Sequence, residues 1–69
     1  MQTVENKLKE LYMQGFNDEL DSKKPIDWFK NEVEKRAYFV GRADAIIGDD
    51  VPSSDYKPWE DILKEIKNL

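Results

Sequence analysis

The sequence contains neither cysteine nor histidine. A disulfide framework, a Cys/His zinc site, a thiol nucleophile and an imidazole base are therefore excluded, and with them most familiar catalytic arrangements. Long apolar runs are missing as well: without a tyrosine the longest is Ala45 to Ile47, whereas a helix that spans a bilayer needs ~20 apolar residues. Residues 1–11 also lack the basic start and apolar block of a secretory signal. We expect a cytoplasmic protein that is not an enzyme and has no membrane, cofactor or metal partner.

Small size and acidic charge limit the protein further. Its 69 residues include 11 lysines and arginines against 15 aspartates and glutamates, for a formal net charge of −4. A chain of this length buries only ~60 % of the surface that its unfolded form exposes, so residues 1–69 are predicted to form one small domain. Excess negative charge opposes contact with nucleic-acid phosphates, and we expect no DNA partner.

Apolar residues recur at spacings of three and four in three segments, which predicts an all-α fold. The first helix is predicted over about residues 3–21, with Thr3 as its N-cap. The second is predicted over about residues 26–47, because Pro25 interrupts the preceding helix and suits the start of a new one. The third is predicted over about residues 56–68. The expected architecture is a helical hairpin plus a third C-terminal amphipathic helix, with no internal repeat.

Each predicted helix has one apolar face that can contribute to a shared core. On the first helix this face comprises Val4, Leu8, Leu11, Tyr12, Gly15, Phe16 and Leu20. On the second it comprises Phe29, Val33, Arg36 or Ala37, Val40, Ala43 and Ile47, widened by Trp28, Phe39 and Ile46. On the third it comprises Trp59, Ile62, Leu63, Ile66 and Leu69. Pro58 is placed near the first turn of the third helix, and Ser54 or Asp55 is its expected cap.

Two glycines within the helical pattern indicate close packing. Gly15 and Gly41 each cost about 1 kcal/mol relative to alanine inside a helix, so a compensating packing role is expected. Gly41 belongs to a narrow face of small residues, formed with Ala37, Ala45 and Gly48. One interpretation is that Gly15 and Gly41 face each other across a tight hairpin. The alternative is that the small residues receive a partner helix, or a second copy of the chain in a homodimer.

Part of this pattern resembles a known family. The run from Leu11 to Phe16, then Pro25, then the run from Arg36 to Ala45 is similar to ribosome modulation factor and its small bacterial and phage relatives. Those proteins are helical hairpins with a glycine–aromatic pair in the first helix and a proline in the connection. The resemblance covers residues 8–47 and implies a hairpin that associates with ribosomal RNA. That family is strongly basic, however, and its aromatic after the second glycine is replaced here by Arg42.

Carboxylates gather where the first two helices are predicted to end. Around the first end these are Asp18, Glu19 and Asp21, and around the second they are Asp44, Asp49, Asp50 and Asp55. They are either solvated surface charge or an acidic patch that engages a basic surface of a partner. The loop after the second helix lacks the alternating acidic positions, central glycine and terminal glutamate of an EF-hand, so no calcium site is predicted.

Three phenylalanines, three tyrosines and two tryptophans are too many for so small a core. Neighbours such as Tyr38 and Phe39 point about 100° apart on a helix, so some aromatic surface should stay exposed. Exposed aromatics beside an arginine are typical of binding hot spots. The predicted partner-binding residues are Trp28, Tyr38, Arg42 and Tyr56, together with Asp49 and Asp50 from the acidic cluster.

The second helix also has a basic edge, formed by Lys30, Lys35, Arg36 and Arg42. Such an edge can contact the phosphates of a nucleotide or an RNA. Glu32 and Glu34 lie between these basic residues in the sequence. Internal ion pairing is therefore the preferred interpretation.

Three functional hypotheses follow. The first is a small acidic interaction protein that binds and regulates another protein. It is of the kind that phages and mobile elements encode, and would then act in the cytoplasm of a bacterial host. The second is a ribosome- or RNA-associated factor like ribosome modulation factor. The third is a packaged or structural phage component that is ordered only within its assembly.

Overall fold

In the computed structural model the described residues, 3–47 and 57–67, form three helices and no strand. These are α1 (Val4–Leu20), α2 (Glu32–Ile47) and α3 (Trp59–Lys67). The predicted all-α hairpin with a third helix is therefore confirmed. Among these residues no helix is both long and apolar enough to cross a membrane. The described residues do not include several positions named above. These positions are Gly48, Asp49, Asp50, Ser54, Asp55, Tyr56 and Leu69.

Both ends of α1 are capped by local hydrogen bonds. Thr3 is extended, with φ −76° and ψ 162°, and its Oγ1 accepts a bond of 3.1 Å from a backbone N–H in the first turn, as predicted. At the other end Ser22 has a φ of 58°, and its N–H donates to the Glu19 carbonyl. The Lys23 N–H donates to the Asp18 carbonyl over 2.9 Å. This pair of bonds is a Schellman motif, which usually has glycine where Ser22 stands.

The start of α2 lies six residues later than predicted, at Glu32 instead of residue 26. The side chain of Asn31 accepts a bond of 2.9 Å from the Glu34 N–H, and the Glu34 carboxylate in turn accepts from the Lys30 N–H. This reciprocal arrangement is close to a capping box and satisfies N–H groups at the helix start. The side-chain cap thus decides where α2 begins, and Pro25 lies in the non-helical connection.

One core joins the three helices. Its buried members are Leu8, Leu11, Tyr12, Ala37, Tyr38, Ile62, Leu63 and Ile66. α3 lies on the hairpin, with the Trp59 ring edge-on to Tyr12 at 5.9 Å between centroids. α3 begins at Trp59 and not near residue 56 as predicted, because Pro58 directly precedes the helix and its carbonyl accepts the Asp61 N–H. Arg36 joins α2 to α3 by donating to the Ile66 carbonyl over 3.5 Å.

The inner face of α2 differs from the predicted one. Its buried residues are Glu34, Ala37, Tyr38, Gly41 and Ala45. Several residues predicted for the apolar faces are exposed: Val4 and Leu20 at the two ends of α1, and Phe39, Ala43, Ile46 and Ile47 on α2. For α2 the physical reason is the close approach of the two helices. Small residues must line the interface, and this rotation of α2 turns its larger apolar residues outward.

Candidate interaction surface

Gly15 and Gly41 bring the backbones of α1 and α2 together. A Cβ on Gly15 would overlap the Tyr38 carbonyl oxygen and stand 2.9 Å from the carbonyl carbon. A Cβ on Gly41 would likewise overlap the Tyr12 carbonyl oxygen and stand 2.8 Å from its carbon. The described residues of the small-residue face, Ala37, Gly41 and Ala45, are therefore buried within the hairpin, which is the first of the two interpretations. α1 already occupies the place that a partner helix or a second copy would need.

A seven-residue pattern occurs once in each helix of the hairpin. The segments YMQGFND and YFVGRAD, which begin at Tyr12 and Tyr38, share Tyr-x-x-Gly-x-x-Asp. The Tyr12 hydroxyl donates to Asp44, and the Tyr38 hydroxyl donates to Asp18 over 2.6 Å. Each tyrosine thus bonds the aspartate of the other segment, and each glycine lies on the tyrosine carbonyl of the other. The sequence prediction, that no internal repeat competes with the three helices, did not recognise this short pattern, which relates the two helices by an approximate two-fold axis.

Tyr38 and Arg42, which were predicted to bind a partner, belong instead to the interior of the hairpin. Tyr38 is fully buried. Arg42 donates to the Tyr38 hydroxyl over 3.1 Å and forms a salt bridge of 3.1 Å with Glu19. Burial of the Tyr38 hydroxyl raises its pKa, and the bond to Asp18 adds to this, while Arg42 acts in the opposite direction. The prediction that both side chains are exposed fails, because an arginine four residues after a tyrosine on a helix can reach the hydroxyl of that tyrosine.

The acidic cluster at the end of α1 is also largely used within the fold. Asp18 is buried, and both it and Glu19 take part in the network around Tyr38. Asp44, from the second predicted cluster, accepts the hydroxyl of a tyrosine in α1. Of the four members of the two predicted clusters that the structure describes, Asp21 is the one left exposed. The interpretation as a solvated or partner-binding patch therefore does not apply to the other three.

An aromatic cluster remains at the surface, where the connection passes α2. Trp28 stacks on Phe29, with 6.3 Å between centroids and 27° between planes, and Phe29 lies 6.3 Å from Phe39. The Lys7 Nζ lies over the Trp28 ring at 5.5 Å from its centroid, a cation–π contact. Trp28 is 54 % exposed and Phe39 is 38 % exposed. Among the described residues of the predicted partner-binding set, Trp28 alone stays at the surface.

Exposed apolar residues continue from this cluster along α2. We call them the outer face of α2, and they are Phe39, Ala43, Ile46 and Ile47. Ile46 is 71 % exposed and Ile47 is 81 % exposed. Their spacing is that of one helical face, so α2 has two apolar faces, and the hairpin uses one.

The basic edge of α2 is only partly paired. Arg42 pairs with Glu19, and Arg36 bonds a carbonyl of α3. Lys30 and Lys35 form no salt bridge with any carboxylate that the structure describes. The preferred interpretation of internal ion pairing with the neighbouring glutamates is thus wrong for both lysines, and the Glu34 carboxylate accepts from the Lys30 backbone N–H instead.

A metal site among the described residues, 3–47 and 57–67, would require several side chains of metal-binding types close together. No three side chains of the metal-binding types converge there. Every buried polar side-chain atom in the same ranges has a hydrogen-bond partner. The arrangement that stands out is therefore an exposed apolar surface.

Comparison with known proteins adds no relative: no protein-family model, no curated protein and no solved structure matches the chain. The resemblance to ribosome modulation factor stays a prediction from the sequence pattern.

Proposed function

We propose that this chain is a small non-enzymatic protein that binds and regulates another protein. Its contact surface is the outer face of α2 together with Trp28. One observation carries the proposal: from Phe39 to its end, α2 has an exposed apolar face that the fold does not bury. Exposed apolar patches of this kind mark protein interaction sites when they are contiguous and have polar surroundings.

The internal repeat shows which residues the hairpin itself requires. At the positions equivalent to Ala43 and Ile47, the chain has Asn17 in α1 and Asp21 directly after it, as the C-cap residue. Both helices make the same tyrosine–aspartate and glycine–carbonyl contacts. The hairpin geometry is therefore compatible with polar residues at these two positions, whereas the equivalents of Phe39 and Ile46 are apolar, Met13 and Leu20. The apolar residues Ala43 and Ile47 thus call for another reason. Binding a partner supplies that reason.

Trp28 is the expected anchor of the contact. A tryptophan side chain can bury about 150–250 Å², and slightly more than half of Trp28 is exposed. Covering roughly 100 Å² of it contributes about 2.5 kcal/mol at ~25 cal/mol per Å². Trp28 is also held in place by Phe29 and Lys7, so a partner meets a side chain whose rotamer is already restricted.

The RNA-binding alternative depended on the arginines of α2. In the structure Arg42 binds Tyr38 and Glu19, and Arg36 binds the backbone of α3. Loss of ribosome binding in Arg36→Ala or Arg42→Ala would therefore report damage to the fold as much as loss of a phosphate contact. The observations give more support to a protein partner.

The proposal is tested by transferring residues of α1 to the outer face of α2. The variant Ala43→Asn/Ile47→Asp uses the side chains of the equivalent residues, Asn17 and Asp21. Leu20→Ala is the matched control, because Leu20 is an exposed apolar residue at the α1 position equivalent to Ile46. Each protein is immobilised at low salt, incubated with a lysate treated with ribonuclease, and the retained proteins are quantified by mass spectrometry.

The expected result is at least one protein retained by the original sequence and by Leu20→Ala and lost with the double variant and with Trp28→Ala. Retention of the same proteins by all four would refute the proposal. Light scattering identifies the special case in which the partner is a second copy. A homodimer that becomes monomeric in the double variant would assign the outer face to self-association.

A further inference from the structure

Two grooves flank the turn at which α2 begins, and both are bordered by lysine. The first has Phe29 and Phe39 in its lining, a volume of about 690 Å³, and Lys24, Lys30 and Lys35 around it. The second groove shares Lys30 and adds two more lysines, which are Lys7 and Lys67.

These five lysines form no salt bridge with a carboxylate of the described residues. The carboxylates that line the grooves are three in number, Asp27 and Glu32 in the first and Glu34 in the second. Glu34 is buried and bonded to the Lys30 N–H. The grooves therefore have an excess of positive charge on a chain whose formal charge is −4.

From this charge and the aromatic lining we propose that the grooves bind an acidic segment of the partner protein. An aromatic or aliphatic side chain of the segment packs against Phe29 and Phe39, and its carboxylates pair with Lys30 and Lys35. Phe39 belongs both to this groove and to the outer face of α2, so the segment extends the contact described above. The inference rests on the proposed function, since it specifies the chemistry of that protein partner.

The charge pattern favours a peptide over a nucleic acid. A nucleic-acid strand presents a continuous row of phosphates, which would meet Asp27 and Glu32 as well as the lysines. The net negative charge of the chain adds a long-range repulsion. A peptide with one or two carboxylates can reach Lys30 and Lys35 and leave the acidic positions uncontacted. Such pairs set specificity and weaken as salt rises.

The test is selection of a random-peptide display library on the immobilised full chain. We expect the enriched peptides to have more aspartate and glutamate than the input library, beside an aromatic or aliphatic residue. Lys30→Gln/Lys35→Gln should abolish this acidic excess. The control Lys9→Gln/Lys64→Gln removes the same amount of charge from exposed lysines outside both grooves. This control should preserve the acidic excess of the enriched peptides. An enriched peptide made synthetically should bind the groove variant roughly three- to tenfold more weakly.

The outcomes separate the inference from the proposed function. Peptides that need Trp28 or Phe39 but show no acidic excess would overturn the inference and leave the protein-binding surface intact. Enrichment that is unaffected by Trp28→Ala and Phe39→Ala would count against the surface itself. A labelled oligothymidine is the third probe. If it binds and is lost with Lys30→Gln/Lys35→Gln, while no acidic peptide is enriched, the grooves belong to a nucleic acid and the inference is overturned.

Discussion

Replacing Gly41 with alanine sets two effects of opposite sign against each other. Helix propensity alone favours the substitution by about 1 kcal/mol, because glycine in a helix interior has more backbone freedom to lose. In this hairpin, however, the new Cβ would overlap the Tyr12 carbonyl oxygen and stand 3.1 Å from the Phe16 nitrogen. Both obstacles are backbone atoms, so no rotamer change relieves the overlap and the helices must move apart.

The expected loss in the free energy of unfolding follows from the contacts that are disrupted when the two helices move apart. Overpacking a tight interface typically costs about 1–3 kcal/mol. The two symmetric tyrosine–aspartate bonds cross the same interface, and a bond to a charged group contributes about 1.5–3 kcal/mol. After the gain in propensity we expect a net loss of about 2–4 kcal/mol. A chain of this length has only ~3–10 kcal/mol of stability, so its melting temperature should fall by roughly 10–30 °C.

Urea unfolding followed by circular dichroism at 222 nm measures the effect. Ala43→Gly is the control, since residue 43 is exposed two positions further along α2 and should lose only the propensity difference of about 1 kcal/mol. Gly15→Ala should behave like Gly41→Ala, because the repeat gives both glycines the same neighbours. An unfolding midpoint for Gly41→Ala at or above that of the original chain would refute the close approach of the helices.

Two further predictions concern the cap of α1 and the buried tyrosine. Ser22→Gly should stabilise the chain by about 0.5–1 kcal/mol in urea unfolding, because Ser22 has a positive φ that glycine adopts without strain, whereas Ser22→Ala should leave stability nearly unchanged. Equal midpoints for the two variants would contradict this. The pKa of Tyr38 is raised above 10.0 by burial and by Asp18, so the folded chain keeps a proton that the unfolded chain loses. Stability from Tyr38 is thus complete below about pH 10 and declines as the pH rises through the folded pKa. In Tyr38→Phe the alkaline loss of stability should be smaller, and an unchanged slope would show that Tyr38 does not titrate in this way.

The architecture could be predicted because it depends on local signals. Apolar spacing and prolines define three helices, and Thr3 caps the first of them as expected. The start of α2 was missed for a local reason too, since Pro25 and Asp27 suggest one start and Asn31 with Glu34 another. Only the second pair makes hydrogen bonds in the structure. Where two start signals compete, the helix begins at the one whose side chains satisfy backbone N–H groups.

The inner face of α2 could not be read from hydrophobic spacing, because this helix is apolar on two sides. Tyr38 and Phe39 point about 100° apart, so spacing shows that one of them is exposed but not which one. The repeat would have decided the question. Aligning Tyr38 with Tyr12, which lies on the clear inner stripe of α1, places Tyr38 inside and Phe39 outside. A pattern of three identities in seven residues is short, yet it holds the information that hydropathy lacks.

The same residues explain how far the resemblance to ribosome modulation factor can be extended. Gly15 and Gly41 allow the backbones to meet, Arg36 bonds α3, and Tyr38 is buried beneath the connection. The described residues of this motif thus serve hairpin packing for the most part, and any hairpin built in this way needs similar residues whatever it binds. A motif made of packing residues can identify a scaffold without identifying its activity. The function of this chain has to be sought in residues that the scaffold does not need, beginning with Trp28 and the outer face of α2.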